Sequence, residues 1–146
     1  MSLFDSFNIS ASGLTAQRLR MDIISNNIAN VNTTRTPEGG PYKRQMPVFA
    51  ERKPKFVLPK ASDDIRSRIG QGVKVVGIKK DTSPPKLVYN PEHPDANEDG
   101  YVAMPNIDLV SEMVDMIEAT RAYEANVTAL NSTKNMAMKA LEIGRG

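Results

Sequence analysis

The chain has 146 residues, room for one compact domain or for two long helices with a small module between them. It is 40% hydrophobic but only 5% aromatic and lacks Trp, which excludes a core built on rings and leaves the packing to Met and aliphatic side chains. A net charge of +2 is too mild to mark a nucleic-acid binder, the absence of Cys excludes disulfide and thiol chemistry, and no apolar run is long enough to cross a bilayer.

Residues 1–33 contain no Pro and read as a helix. One stripe runs through Leu14, Met21, Ile24, Ile28 and Val31, continued by Phe7 and Ala11. At 100° per residue, Ala16, Leu19 and Ile23 fall almost opposite. A helix apolar on two sides needs two partners. The C-terminal helix can supply one, and the second is expected from another subunit. The helix ends in an unusual run in which Asn26, Asn27, Asn30 and Asn32 fall within seven residues, a composition poor for helix propensity. Two accounts fit it. The run is a helix fraying into a loop, or its amides bond helices of adjoining subunits without burying charge. The extreme N-terminus has neither a basic n-region nor an apolar h-region, so no cleavable secretory signal is expected.

Residues 34–105 hold all ten prolines and thirteen basic against nine acidic side chains. No long helix passes through such Pro spacing, so a small Pro-rich module of short strands and loops is predicted. Residues 43–50, 73–80 and 86–89 have the composition of strands bounded by Gly and Pro. Gly39-Gly40, Ser83-Pro84-Pro85 and Asp99-Gly100 are turn signals. Stretch 51–68, dense in Arg, Lys and Asp, reads as a flexible segment.

Residues 106–146 carry the strongest periodicity. Leu109, Met113, Met116, Thr120, Tyr123, Val127, Leu130, Lys134, Ala137 and Leu141 alternate four and three apart, a heptad seam that holds one stripe against a partner helix. Asn106 or Asp108 can cap the start, Glu112, Asp115 and Glu118 complement the positive helix end, and Gly144 is a natural stop. Such a helix is roughly 55 Å long, more than a single small domain uses. The fold class expected is therefore mainly α, with the terminal helices paired as an antiparallel coiled coil and the β-containing module between them.

Little in the sequence carries reaction chemistry. His93 is the only histidine and sits between Pro91 and Pro94, so it cannot build a usual zinc site. Asp95 to Gly100 matches the first half of a calcium loop, but position twelve is Asn106 rather than a bidentate Glu, and a hydrogen-bonded polar turn is expected there. Gly70 and Gly72 lack the rest of a phosphate loop. The basic stretch 43–60 lacks the aromatic interleaving of a nucleic-acid platform. No catalytic residue, metal site, cofactor, nucleic-acid partner or small-molecule substrate is expected.

The flanks also carry a resemblance. Ser12-Gly13-Leu14-Thr15-Ala16-Gln17-Arg18-Leu19-Arg20-Met21-Asp22, running into Ser25 to Thr33, resembles the N-terminal signature of flagellar rod and hook axial proteins. Asn106 to Ile117, then Ala119 to Asn126 and Ala140 to Arg145, is similar to that family's other terminus. The short length, and the loop from His93 to Val102 leading into Pro105-Asn106, resemble the family's proximal-rod branch. After Thr33 the chain continues through Thr34 to Lys43, a longer join than many relatives have.

The resemblance implies a non-catalytic structural subunit of the bacterial flagellar basal body, polymerising through its terminal helices into the hollow shaft that carries torque. It implies export through the flagellar type III apparatus without a cleaved signal, and a place in the periplasm-spanning rod. Implied partners are copies of itself, other rod proteins, the export apparatus, and basal-body ring and adaptor proteins. Contacts between helices or subunits are expected at Leu14, Met21, Ile24, Asn26, Asn27, Ile28, Asn30 and Val31 at one end. At the other they are expected at Leu109, Met113, Met116, Tyr123, Val127, Leu130 and Leu141. An intracellular coiled-coil adaptor binding one partner helix is the alternative reading of the same seam.

Overall fold

A computed structural model describes residues 3–52 and 70–144. Two helices dominate it. α1 spans Leu3–Ala29 and α2 spans Leu109–Ile143, 27 and 35 residues respectively. Between them lie β1 (Gln45–Glu51), β2 (Val73–Lys80), β3 (Lys86–Tyr89) and β4 (Tyr101–Met104). β1 pairs antiparallel with β2, with a bulge between Val48 and Phe49, and β3 pairs antiparallel with β4. These are two separate two-stranded sheets.

The prolines account for this division, since each removes an amide donor that a helix needs. α2 begins where they stop: Asp108 takes the extended N-cap conformation and its carboxylate accepts from the amides of Val110 and Ser111. The bond from the Ser111 hydroxyl, and after it the two from these amides, hold the Asp108 carboxyl below its usual range. At the other end the helix stops at Gly144, whose φ of −77° is open to any residue.

α1 and α2 run antiparallel. Gly13 lies beside Asn126, Arg20 bonds Asp115, Met21 meets Thr120, and Asn27 bonds Glu112. The apolar core is thin: among the described residues the buried apolar side chains are Ala16, Ile23, Ile24, Val102 and Ala119, with Pro105. The small residues Gly13, Ala16 and Ala119 let the two helices approach closely, as the carboxamide of Asn126 beside the bare Cα of Gly13 attests.

Three expectations are corrected here. The face of α2 turned to α1 is not the whole expected seam: Leu109, Met113 and Leu141 are 44%, 53% and 70% exposed, while Glu112, Ala119 and Thr133 are buried. The column Met116, Tyr123, Leu130 and Ala137 lies half-buried, but its companion column is shifted by one residue, from 113, 120, 127 and 134 to 112, 119, 126 and 133. A residue step turns a helix by about 100°, so small side chains plus one paired carboxylate fit the close contact where Met and Val would hold the helices apart.

Secondly, α1 finds a further cover in its own chain. The β1–β2 hairpin lies along it, with the Ser12 hydroxyl accepting from the Val73 amide and Asn27 bonded to both backbone groups of Gln45. Gly72, at a φ of +100°, brings the β2 entry against Ile9 and Ser12 at a distance no side chain would allow. Thirdly, Tyr101–Met104 is a strand where none was expected, paired with the anticipated strand 86–89. The first strand begins at Gln45 rather than 43, while 73–80 matches its expected bounds. Of the stretch expected to be flexible, residues 53–68 lie outside the described residues.

The loop joining β3 to β4 is a chain of turns. Asn90 donates its amide to Gly100, Gly100 donates to Asn97, and the Asp95 amide donates to His93 Nδ1. Thr34 ties this loop to the segment after α1 by donating to the Asp95 carboxylate. The Asp95–Gly100 run is thus engaged in turn hydrogen bonds. Tyr89 and Tyr101 face each other across the strands, their rings edge to face with centroids 5.3 Å apart.

Candidate functional site

Two features stand out: a buried polar cluster where α1, β1 and α2 meet, and a set of apolar side chains on the outer side of α2.

The cluster is built around Glu112 in the first turns of α2, a carboxylate with none of its surface exposed. Burying an unpaired carboxylate is costly, and it stays in place only with partners for both oxygens. Oε1 accepts from Nε of Arg44, the residue immediately before β1, and Oε2 accepts from Nδ2 of Asn27 at 3.0 Å. Asn27, 1% exposed, uses its full donor and acceptor capacity. Its Nδ2 also donates to the Gln45 carbonyl at 2.9 Å, and its Oδ1 accepts from the Gln45 amide at 3.0 Å and from the Tyr42 hydroxyl at 3.2 Å. Burial, and after it the charge of Glu112, raise the Tyr42 hydroxyl above the ordinary phenol range.

A second tier of charge borders the first. Arg44 Nη2 reaches Asp115 at 3.2 Å, and Arg20 Nη2 reaches the same carboxylate at 2.9 Å and Glu118 at 3.6 Å. Arg44 also directs Nη1 at the Met46 sulfur, 3.3 Å away. Two arginines from the α1 side therefore face three carboxylates on α2. The outer pairs are partly solvent-screened and contribute modestly; the inner pair, with its hydrogen bonds complete, joins three segments far apart in sequence.

This arrangement clamps rather than reacts. It contains no nucleophile beside a base, and every polar group named is engaged. The adjacent cleft between Tyr42, Arg44, Asp81 and Asn106 measures about 90 Å³, well below the roughly 300 Å³ at which pockets for small molecules begin. Among the described residues no group of His, Asp and Glu side chains is arranged to hold a metal ion, and no helix is long and apolar enough to cross a membrane.

On the opposite side of α2, Val110, Met113, Val114 and Ile117 follow the i, i+3, i+4, i+7 spacing of one helix face. They are 51% to 68% exposed. Leu141 and Ile143 at the far end of the helix, and Phe4 near the start of α1, are more exposed still. Exposed apolar side chains grouped on one helix face are a common feature of surfaces that meet another macromolecule.

The expected contact residues divide between the two features. Ile24 and Asn27 are buried within the chain, and Leu14, Met21, Ile28, Asn30 and Val31 are half-buried in it, as are Met116, Tyr123, Val127 and Leu130 on α2. Leu109, Met113 and Leu141 stand on the surface, with Asn26. Asn26 and Asn30 bond mainly each other: Asn30 Nδ2 donates to both oxygens of Asn26, and Asn30 Oδ1 accepts from Thr33. The Asn run thus ties the end of α1 to its own chain, a third use beside the two expected.

Glu112, Arg44 and Tyr42 were not expected at the site. By sequence Glu112 complements the positive end of the helix and Arg44 belongs to a basic stretch. A signal was present in the small and polar column Glu112, Ala119, Asn126, Thr133, which repeats every seven residues one place before the apolar one.

Comparison with known proteins gives two family matches. Residues 7–35 match the family described as flagella basal body rod protein, and residues 98–143 match the C-terminal family of the flagellar basal body rod FlgEFG proteins. Over full length the chain is similar to the flagellar basal-body rod protein FlgC of Borreliella burgdorferi, 56% identical with all of both chains covered. It is similar also to FlgC of Bacillus subtilis, 51% identical over 99% of this chain and all of the relative. FlgC of Salmonella typhimurium is 37% identical over the same shares.

Proposed function

The chain belongs to the flagellar basal-body rod protein family as a non-enzymatic structural subunit, and we propose that its terminal helices, wound as an antiparallel coiled coil, polymerise into the hollow shaft that transmits torque. The observation that carries this reading is the exposed face of Val110, Met113, Val114 and Ile117. It lies outside the α1–α2 contact, so covering it in a neighbouring subunit leaves the hairpin intact. Leu109, Met113 and Leu141 from the expected seam fit the same role. The adaptor alternative is not favoured, because the full-length relatives carry the name of a rod protein.

The family also supports a location in the basal body and assembly with other rod proteins. The finer points are our reading: flanks 1–33 and 106–146 form the assembly unit, and 34–105 is a separate module facing ring or adaptor proteins. Export proceeds through the type III apparatus, and the rod crosses the periplasm. The test is a pair of substitutions, Val114→Asp and Ile117→Asp. Both should abolish motility and remove the chain from isolated basal bodies, while the purified protein keeps its helical circular dichroism. Normal motility in both would show that this face stays open to solvent.

A further inference from the structure

The α1–α2 contact has a property that calls for a device to control it. Its two columns on α2, Ala119–Asn126–Thr133 and Met116–Tyr123–Leu130–Ala137, each repeat every seven residues. On α1, Gly13, Arg20 and Asn27 repeat likewise, as do Ile9, Ala16 and Ile23. Sliding one helix past the other by a heptad therefore sets small and apolar side chains against small and apolar side chains again. Over most of the contact the alternatives are near-degenerate, and repeated seams of this kind are prone to settle in more than one alignment.

The polar groups break the degeneracy. In the observed alignment Asn27 and Arg44 meet Glu112, and Arg20 and Arg44 meet Asp115. Advance α2 by seven and Asn27 stands against Ala119, while Ala122 and Ala125 take the places of Asp115 and Glu118 opposite the arginines. Retreat by seven and Asn27 stands against Pro105, before the helix has begun. In either case the carboxamide of Asn27 loses a partner and the Glu112 carboxylate must find new ones or return to water. A buried polar group whose bonds can be completed in one alignment specifies that alignment, even where it adds little stability.

The geometry points to the Asn27–Arg44–Glu112–Asp115 cluster as the register determinant of the hairpin: it selects one of several heptad-related alignments of α1 on α2. Because Arg44 leads directly into β1 and Asn27 holds Gln45, the same selection sets where the β1–β2 hairpin rests. The outer face of α2 then meets a neighbour at one height only.

The 146-residue chain contains no Cys, so paired substitutions report alignment without background. Gly13→Cys with Asn126→Cys reads the observed alignment, because those two residues are adjacent. Gly13→Cys with Thr133→Cys reads an advance of one heptad. Both pairs are oxidised in three backgrounds, and intrachain disulfides are mapped by mass spectrometry. In the native background the 13–126 bond should dominate. In the permuted chain Glu112→Ala, Asp115→Ala, Ala119→Glu, Ala122→Asp, which moves the two carboxylates by seven residues, the dominant bond should move to 13–133. In Arg20→Met, Asn27→Leu, Arg44→Met, Glu112→Leu, Asp115→Leu, which removes both ends of every ion pair of the cluster, helicity should persist and both bonds should form. Retention of the 13–126 bond alone in either variant overturns the proposal, since side-chain shape would then set the alignment. So does loss of helicity with neither bond formed in the apolar variant, since the cluster would then act as a stabiliser.

Discussion

Arg44 donates from Nε to a carboxylate oxygen of Glu112, 68 residues away in sequence, whose surface is entirely hidden from solvent. The pair stitches the segment before β1 to the first turns of α2, with Asn27 of α1 on the other oxygen. Three parts of the chain are thereby held at one point.

Breaking the pair from one side is expected to be costly. Arg44→Met leaves the Glu112 charge buried with only the Asn27 amide beside it, a loss of about 3–5 kcal/mol. Glu112→Gln keeps the shape and some of the hydrogen bonding and should cost about half as much. The double variant should lose less than the sum of the singles, since each group is harmful chiefly when left without the other. Urea unfolding of the four proteins measures the coupling, and strict additivity would show that the two residues do not depend on each other.

The Asn run should divide sharply under substitution. Asn27→Ala removes four hydrogen bonds and strands part of the Gln45 backbone and the Glu112 carboxylate, at a cost of about 2–3 kcal/mol. Asn26→Ala removes an exposed side chain whose longest contact, to the Tyr42 hydroxyl, spans 3.4 Å. Its cost should stay within about 0.5 kcal/mol, as for most surface changes. Equal effects at the two positions would contradict the burial pattern.

Two glycines should respond in opposite ways to Ala. Gly100 has a φ of +79°, and a Cβ there would lie 2.9 Å from the Tyr89 ring. Gly100→Ala should destabilise by about 1–2 kcal/mol and loosen the β3–β4 pair. Gly77, in β2, has an ordinary φ and open space around the missing Cβ, so Gly77→Ala should be neutral or slightly stabilising. Thermal midpoints of the two variants decide the matter.

The N-cap of α2 should be sensitive to acid. Hydrogen bonds to Ser111 and the Val110 amide hold the Asp108 carboxyl below its usual pKa. Its stabilisation is thus complete above the unfolded value near 3.8 and is lost as pH falls through the lower folded value. Amide exchange at Val110 and Ser111 should rise in that acid range. In Asp108→Asn, a cap without a titrating group, exchange there should be independent of pH once the intrinsic rate is divided out. A similar acid response in both proteins would assign the effect to another group.

The two helices, the cap and stop of α2 and the strands at 73–80 and 86–89 were legible in the sequence, because local rules govern them; the expected helix 1–33 instead ends at Ala29, where the Asn run begins to turn. Pro spacing forbids helix, Asp108 caps, and β-branched residues between turn signals extend. The family was legible for a related reason, since its signatures lie in the two flanks, where the chain is continuous. The β4 strand was not, because Tyr101–Met104 is short and becomes a strand by pairing with Lys86–Tyr89. Nor was the cover that β1 and β2 place on α1, which depends on a glycine admitting close backbone approach.

The choice of face on α2 shows most clearly where local information stops. A heptad of apolar residues names a stripe, but Glu112 and Met113 are neighbours about 100° apart on one helix, and either could turn inward. By sequence alone Met113 is the better candidate, since burying a carboxylate is penalised until it is paired. The pairing comes from Arg44 and Asn27, brought to Glu112 across 68 and 85 residues of chain, while the small side chains of Gly13, Ala16 and Ala119 leave space for a close approach. The sequence by itself determined that two helices would form and would each carry an apolar stripe. Only the tertiary structure decided which stripe would be covered within the chain and which left exposed, because the sign of the free energy of burying Glu112 depends on partners that the fold alone brings within reach.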